Sequence, residues 1–353
     1  MTGKTSKPTP LPEMQAVLDQ LAHLGAEPLE TLIPEQARKQ PSPADAVNAV
    51  ARIRGLDAEP ESVGNLSDRT FEGPGGTVAL RLYWPKDADP GTSGLPVVLY
   101  IHGGGWVIAD IDTYDASARA VANAAGAIVV STHYRQAPEH KFPAAHEDTM
   151  AAYRWVLDNA AAFGGDPRRI ALVGESAGGN MAANIAISAR DQGLQAPVHQ
   201  VLVYPVANND MQSPSYLQNA NASPLGKAAM AWFVRYTFHS ADETADPRIS
   251  LARRSDLAGL PATTIILAEL DPLRSEGELL GEALRDADVP VLIHQFDGVT
   301  HEFFGMGAVL EEARLAQQLA GQRLAQAFED QPPHVAAAAR TTKPGAAVRQ
   351  TRR

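Results

Sequence analysis

Short apolar runs alternate with amphipathic stretches along most of the chain after position 95. Continuous apolar runs are typical of central strands in a parallel sheet, because both faces of such strands are buried. Such runs occupy 97–101, 128–132, 170–173, 201–204, 263–267 and 291–296. Helical patterns lie between or after them at 117–125, 144–163, 275–287 and 307–328. The alternation predicts an α/β fold with a mostly parallel sheet that helices cover on both faces.

The chain before this alternation has a different pattern. An amphipathic helix is predicted over 11–24, and shorter helices over 34–40 and 43–53. Between 67 and 84, two stretches of β-type residues flank a glycine-rich turn at 73–76, which predicts a hairpin. These glycines do not form a phosphate-binding G-x-G-x-x-G, since position 78 is valine.

One internal stretch, 207–245, interrupts the strand–helix alternation. It begins with polar residues and then carries a group of large apolar side chains, Met230, Trp232, Phe233, Tyr236 and Phe238. An insertion at this point lies above the carboxyl ends of the strands, where open α/β sheets bind ligands. We therefore predict a helical cap segment at 1–55, an α/β core at 56–206 and 246–330, and a cap insertion at 207–245. The basic, acid-free tail at 331–353 is predicted to be disordered.

A serine stands between a predicted strand and a predicted helix. The sequence Gly174-Glu175-Ser176-Ala177-Gly178 is a G-x-S-x-G, and it follows the apolar run at 170–173. In a strand-to-helix turn, this pattern is a nucleophile elbow that lifts the serine hydroxyl above the sheet. Alone, the motif describes a glycine-rich packing turn equally well. The flanking strand and helix favour Ser176 as a nucleophile.

A serine needs a base, and that base is normally a histidine oriented by a carboxylate. His301 follows the last predicted strand after a short loop at 297–300, and Asp271 closely follows the strand before it. Each residue alone is also compatible with a helix cap. The order Ser176, Asp271, His301 is the order of nucleophile, acid and base in α/β-hydrolases. Glu269 and Glu276 remain alternatives for the acid.

A glycine-rich turn directly follows the strand that ends at Ile101. Backbone amides in such a turn can stabilise the oxyanion of an acyl-transfer reaction, at about 3 kcal/mol for each donor. Gly104 and Gly105 are the first candidates, Gly103 is a further one, and Ala177 adds an amide from the elbow. We assign His102 a structural role in holding this turn. Candidates for lining the substrate pocket are Trp106, Glu175, Tyr204, Trp232, Leu273 and Phe303.

Composition limits the class of protein. The 353 residues are 44% hydrophobic, carry a formal net charge of −11, and include no cysteine. The negative charge argues against nucleic acid as a partner, and the absence of cysteine excludes disulfides and thiolate metal sites. The histidines lack metal-site spacing, so we expect no metal and no cofactor. We find no signal-peptide or membrane-spanning pattern, and therefore expect a cytoplasmic protein without membrane insertion; a homodimer is possible.

Several of these motifs together resemble the bacterial hormone-sensitive lipase family of esterases, which has the α/β-hydrolase fold. The matching pieces lie between positions 96 and 305: His102–Trp106, His133–Glu139, Gly174–Gly179, Asp271-Pro272-Leu273 and His301. The chain differs from the usual pattern at Glu175, where aspartate is frequent, at Ser275, where aspartate is usual, and at Glu302, where glycine is commoner.

The resemblance implies a serine carboxylesterase that needs no cofactor and acts on a small-molecule ester with a short to medium acyl chain. An amidase, a lactonase or a transacylase uses the same groups, so these activities remain open. Plant relatives of the family resemble small-ligand receptors that have lost the catalytic histidine. The presence of His301 disfavours such a receptor.

Overall fold

The computed structural model describes residues 8–331. The predicted tail at 331–353 therefore lies, except for its first residue, outside the described residues. An eight-stranded sheet forms the centre of the described chain, in the order β1-β2-β4-β3-β5-β6-β7-β8. The strands are β1 (Asn65–Gly73), β2 (Gly76–Trp84), β3 (Leu95–Ile101), β4 (Ile128–Thr132), β5 (Gly165–Glu175), β6 (Gln200–Val203), β7 (Thr263–Leu270) and β8 (Val291–Thr300).

Strand β2 is antiparallel to both of its neighbours, β1 and β4. All other neighbouring strands are parallel, so β3 to β8 end at the same edge of the sheet. This topology confirms the predicted fold class. It also brings together the residues that follow β3, β5, β7 and β8, which lie far apart in the sequence.

Helices flank the sheet and precede it. They are α1 (Pro12–His23), α2 (Pro34–Ala37), α3 (Pro43–Arg54), α4 (Asp115–Ala125), α5 (Ala144–Asn159), α6 (Ala177–Asp191), α7 (Pro214–Gln218), α8 (Lys227–Thr237), α9 (Arg274–Asp286) and α10 (Glu311–Glu329). In the described part of the chain, none of them is long and apolar enough to cross a membrane.

The period of two along each strand divides the core into two layers. On β3, Leu99 and Ile101 pack into the layer that contains α5, α6 and α9. The alternate residues Val98 and Tyr100 pack into the layer that contains α1, α3, α4 and α10. All four side chains are completely buried, as expected for a strand covered on both faces.

One boundary near the site differs from the sequence prediction. The loop predicted at 297–300 is part of β8, and Thr300 pairs with Leu270 of β7. An Asp-Gly pair is typical of a turn, but here a register shift between Ala268 and Leu270 accommodates it within the ladder. Gly298 has a φ of 68°, which glycine adopts readily. His301 therefore follows the strand directly, without a flexible loop.

Candidate active site

Ser176 occupies a tight turn between β5 and α6. Its backbone has a φ of 57° and a ψ of −118°, a conformation that costs a side-chain residue about 1–3 kcal/mol. The turn is this close because α6 begins against the end of β3. A side chain at Gly178 would collide with the carbonyl oxygen of Ile101. The strained backbone therefore belongs to Ser176, whose hydroxyl must project out of the sheet to meet a substrate.

A hydrogen-bonded chain joins three side chains from three strand ends. The Nε2 atom of His301 lies 3.0 Å from Ser176 Oγ, and its Nδ1 atom lies 2.7 Å from Asp271 Oδ2. All three residues are buried. Asp271 also accepts a bond of 2.8 Å from the amide of Leu273, which fixes the orientation of the carboxylate. The chain can move a proton from the hydroxyl to the imidazole and stabilise the resulting cation.

The electrostatic surroundings of His301 act in opposite directions. Burial by itself lowers the pKa of His301, whereas the charge and hydrogen bond of Asp271 raise it, and the net shift is upward from 6.5. Two further carboxylates, Glu302 and Glu175, act in the same direction as Asp271. These carboxylates therefore stabilise the imidazolium that forms when His301 accepts a proton.

The two alternative acids bind other groups. Glu269 accepts a hydrogen bond of 2.8 Å from the amide of Gly298, and Glu276 accepts one of 3.2 Å from the amide of Asn208. Neither carboxylate contacts His301 in the described residues. Of the three candidate acids, the structure places only Asp271 against the imidazole.

In the glycine-rich turn that follows β3, the carbonyl groups are engaged by donors of the protein itself. The carbonyl oxygen of Gly104 accepts bonds from the amides of Val107 and Ile108, and that of Gly105 accepts one from Thr237 Oγ1. Gly104 has a φ of 93°, and a side chain there would collide with the carbonyl oxygen of Ile108.

Within residues 8–331, the amides of Gly104 and Gly105 have no protein acceptor. Ala177 is the first residue of α6, so its amide has no partner within the helix. These groups are free to bind an anion. Gly103 lies in the same turn, and its carbonyl oxygen accepts a bond of 2.8 Å from the Tyr134 hydroxyl.

His102 holds the glycine-rich turn in place through contacts of its buried ring. Its Nδ1 atom lies 2.9 Å from the carbonyl oxygen of Gly103, its Nε2 atom lies 3.1 Å from His133 Nδ1, and its ring stacks on Tyr134. Burial lowers the pKa of His102 to about 3, so the ring is neutral near pH 7. These contacts are those of a structural histidine.

A cavity of about 470 Å³ opens beside Ser176 and His301. Its walls come from the glycine-rich turn, from α1 and the chain that follows it, and from α8 with the chain that precedes it. The lining residues used below are Arg38, Gly104, Trp106, Tyr114, Phe233 and Glu302. In the described chain, no group of three or more histidine, aspartate or glutamate residues is arranged to hold a metal ion.

Comparison with known proteins decides the family. A family model described as the alpha/beta hydrolase fold matches residues 98–305. The chain belongs to this family of α/β hydrolases. Its relatives place it with the hormone-sensitive-lipase-like esterases, so the protein is a carboxylic ester hydrolase.

Two curated relatives and one solved structure illustrate the similarity. The esterase is 42% identical over 272 residues to Esterase LipI of Mycobacterium tuberculosis, covering 76% of this chain and 85% of the relative. It is 34% identical over 287 residues to an ethyl acetate hydrolase of Pseudomonas putida, covering 81% and 88%. An esterase structure from Pyrobaculum calidifontis matches with a TM-score of 0.78 and 36% identity, covering 90% of this chain and 98% of that chain.

Most of the residues that the sequence predicts to line the pocket of the esterase lie outside the cavity wall. Trp106 lines the cavity, but the five other candidates do not. Leu273 and Phe303 are fully buried, and Trp232 directs its Nε1 atom to the carbonyl oxygen of Leu32, at 2.7 Å. These three side chains are occupied in packing or in joining α8 to the N-terminal segment.

Glu175 and Tyr204 of the esterase are buried in the core next to Ser176 and His301. The carboxylate of Glu175 is fully buried and accepts hydrogen bonds from the hydroxyls of Tyr100 and Tyr204. Burial, together with the nearby charge of Glu302, raises the pKa of Glu175 to about 7. The ring of Tyr204 packs against that of His301, with 4.3 Å between centroids. Both residues support the site from within the core.

Several residues that the sequence did not identify as pocket candidates line the cavity of the esterase, among them Tyr114, Phe233 and Arg38. The sequence identifies Phe233 only as one of the large apolar residues of the insertion. Tyr114 and Arg38 carry no local motif, because tertiary packing alone brings them to the cavity. The unusual glutamate after His301 was the one available signal for Glu302.

Proposed function

We propose that the protein hydrolyses small-molecule carboxylic esters through an acyl-enzyme on Ser176, with His301 as general base and Asp271 as its partner. The observation that carries this proposal is the continuous hydrogen-bonded chain, with distances of 3.0 Å and 2.7 Å on the two sides of the imidazole. This hydrogen-bonded chain reaches the wall of the cavity at Ser176 and His301, where a substrate carbonyl can reach the Ser176 hydroxyl.

In acylation, His301 Nε2 takes the proton of Ser176 while Oγ attacks the acyl carbon. The carbonyl oxygen becomes an oxyanion, which the amides of Gly104, Gly105 and Ala177 bind, with Gly103 as a further candidate donor. Each donor is worth about 3 kcal/mol to the transition state. The imidazolium then gives its proton to the departing alcohol as the bond between acyl carbon and alkoxy oxygen breaks. Asp271 stabilises the cation throughout.

We further propose a preference for short to medium acyl chains. The cavity of about 470 Å³ is moderate in size, and one relative bears the name ethyl acetate hydrolase. Initial rates on p-nitrophenyl esters of increasing acyl length test this preference. A maximum of kcat/KM at long chains would contradict it.

Covalent labelling tests the nucleophile directly. A p-nitrophenyl phosphonate should modify Ser176, and peptide mass spectrometry should locate the adduct there. The variant Ser176→Ala should lose both the label and ester turnover. Ser188→Ala is the matched control, since Ser188 lies on the same helix, α6, away from the turn. Undiminished turnover in Ser176→Ala would overturn the proposal.

Two further assays address the alternative activities. Cleavage of matched p-nitroanilides at rates near those of the esters would favour an amidase. A burst of p-nitrophenol without turnover would favour a binding protein. A homodimer and a cytoplasmic location stay predictions of the sequence.

A further inference from the structure

A second carboxylate lies beside the reactive nitrogen of His301. The Oε1 atom of Glu302 is 4.0 Å from His301 Nε2, the same atom that faces Ser176. Glu302 lines the cavity, and its side chain retains 22% exposure. The carboxylate is therefore on the open side of the imidazole, where water or a departing alcohol must stand.

Tyr114 holds this carboxylate in place. Its hydroxyl lies 2.8 Å from both oxygens of Glu302 and donates its single proton between them. A carboxylate has about four acceptor positions, so this bond leaves most of them unused. By contrast, the carboxylate of Glu175 is fully buried and faces two tyrosine hydroxyls. Of these two glutamates, only Glu302 can bind a molecule in the cavity.

The backbone at Glu302 adopts a conformation that is unfavourable for a residue with a side chain. Its φ is 71° and its ψ is 2°, in the left-handed region. A residue with a side chain pays about 1 kcal/mol or more in this region, whereas glycine does not. Glutamate at such a position is a local cost that the fold itself does not require. A glycine there is compatible with the observed backbone.

We propose that Glu302 positions the water that hydrolyses the acyl-enzyme. This inference rests on the proposed function, because it concerns the second half of that reaction. Once Ser176 Oγ is acylated, it no longer donates a proton to His301, and water can take its place at Nε2. A water oxygen about 2.8 Å from each partner fits between Nε2 and Oε1, since two such bonds with a bent angle at the water span the 4.0 Å separation.

The step balances without any further reactant. The water oxygen attacks the acyl carbon, and one water proton moves to His301 Nε2. The other proton stays on oxygen and points to Glu302, which accepts a hydrogen bond but no proton. The intermediate then collapses, the bond between acyl carbon and Ser176 Oγ breaks, and Oγ takes the proton from His301. The products are the carboxylic acid and the free enzyme.

This geometry distinguishes water from an alcohol. Water has two protons and can bind both His301 and Glu302. Methanol has one, which it must give to His301 in order to attack. Glu302 therefore assists hydrolysis more than methanolysis, and its removal should change the ratio of the two products.

The experiment compares wild type, Glu302→Gly, Glu302→Gln and the control Glu282→Gln, which alters an exposed carboxylate on α9. Stopped-flow release of p-nitrophenol from p-nitrophenyl acetate separates the acylation burst from steady-state deacylation. Added methanol gives the ratio of methyl acetate to acetate. Glycine removes the acceptor, whereas glutamine keeps the side-chain shape and one acceptor oxygen, and so tests the same step if the glycine variant does not fold.

In Glu302→Gly, we expect deacylation to slow about tenfold, the size of one charge-assisted hydrogen bond, while acylation changes less than about twofold. The methanolysis ratio should rise several-fold. Glutamine should give a smaller change in the same direction, and Glu282→Gln should give none. A parallel fall of both steps, or an unchanged ratio in both Glu302 variants, would overturn the inference. Failure of the phosphonate to label Ser176 in the wild-type protein would instead overturn the proposed function.

Discussion

The Nδ1 atom of His301 lies 2.7 Å from Asp271 Oδ2, and the side chain of Asp271 is wholly buried. The other oxygen of this carboxylate accepts a bond from the amide of Leu273. With one oxygen held by the backbone, the second faces the imidazole. The proton of a neutral His301 is therefore held on Nδ1, which leaves Nε2 free to accept the proton of Ser176.

Replacing Asp271 by asparagine should reduce kcat by about 10⁴-fold, because the amide can present its NH₂ group to Nδ1 and favour the wrong tautomer. Steady-state hydrolysis of p-nitrophenyl acetate measures the loss. Glu269→Gln is the control among the alternative acids, since a glutamine oxygen can still accept the Gly298 amide, and it should keep activity within about twofold. Equal losses in the two variants would contradict the assignment of Asp271.

The pH profile of kcat/KM should show an acidic limb with its midpoint above 6.5. Only neutral His301 accepts a proton, and the net upward shift of its pKa means that the ring stays protonated to a higher pH than a free histidine. Activity is thus lost as pH falls through this raised value. In Asp271→Asn the carboxylate no longer opposes the effect of burial, so the residual activity should have a lower midpoint. An unchanged midpoint would argue against this coupling.

Gly104→Ala should lower kcat by about 10²–10³-fold with a smaller change in KM, because the new side chain must displace the carbonyl of Ile108 and with it the amides of the turn. Steady-state kinetics and the rate of phosphonate labelling both report this loss. Gly94→Ala is the matched control. Gly94 has a φ of 73° with nothing within 4 Å of an added Cβ, so it tests backbone strain without a collision. Comparable losses in both variants would exclude a specific role for Gly104.

Local sequence patterns account for much of the fold. Strand β4 has the bounds that its apolar run predicts, 128–132. The glycine-rich turn and the elbow are equally local, because close backbone approach demands glycine at particular positions. The parallel topology then places the ends of β5, β7 and β8 at the same edge of the sheet, which is why the residues expected to act together meet.

The residues of the cavity wall could not be predicted from local sequence patterns. Tyr114 and Glu302 are 188 positions apart, and their contact depends on how the start of α4 packs against the segment that follows β8. Phe233 reaches the cavity because α8 packs over Gly105, where an added side chain would collide with the ring. The five other pocket candidates are instead buried. Side-chain direction across an insertion depends on packing that no short pattern encodes.

Arg38, which directly follows α2, joins the N-terminal helices to the site. Its guanidinium donates bonds of 2.7 Å to the carbonyl oxygens of Val107 and Ala137, and it forms a bidentate pair with Glu139. Val107 lies just beyond the glycine-rich turn. Arg38 also lines the cavity. It therefore sets the position of one cavity wall relative to the turn.

We expect Arg38→Ala to raise KM several-fold with a smaller effect on kcat, because the wall shifts while the chain from Ser176 to Asp271 stays intact. The free energy of unfolding should fall by about 1–3 kcal/mol, since two carbonyl groups lose a charged donor. Arg38→Lys should recover little, as an ammonium cannot make the planar, forked contacts. Lys39→Ala is the control, because Lys39 is exposed and pairs only with the exposed Glu35 in the described chain. Kinetics on p-nitrophenyl esters and chemical denaturation measure both effects, and equal KM values for the two alanine variants would refute this role for Arg38.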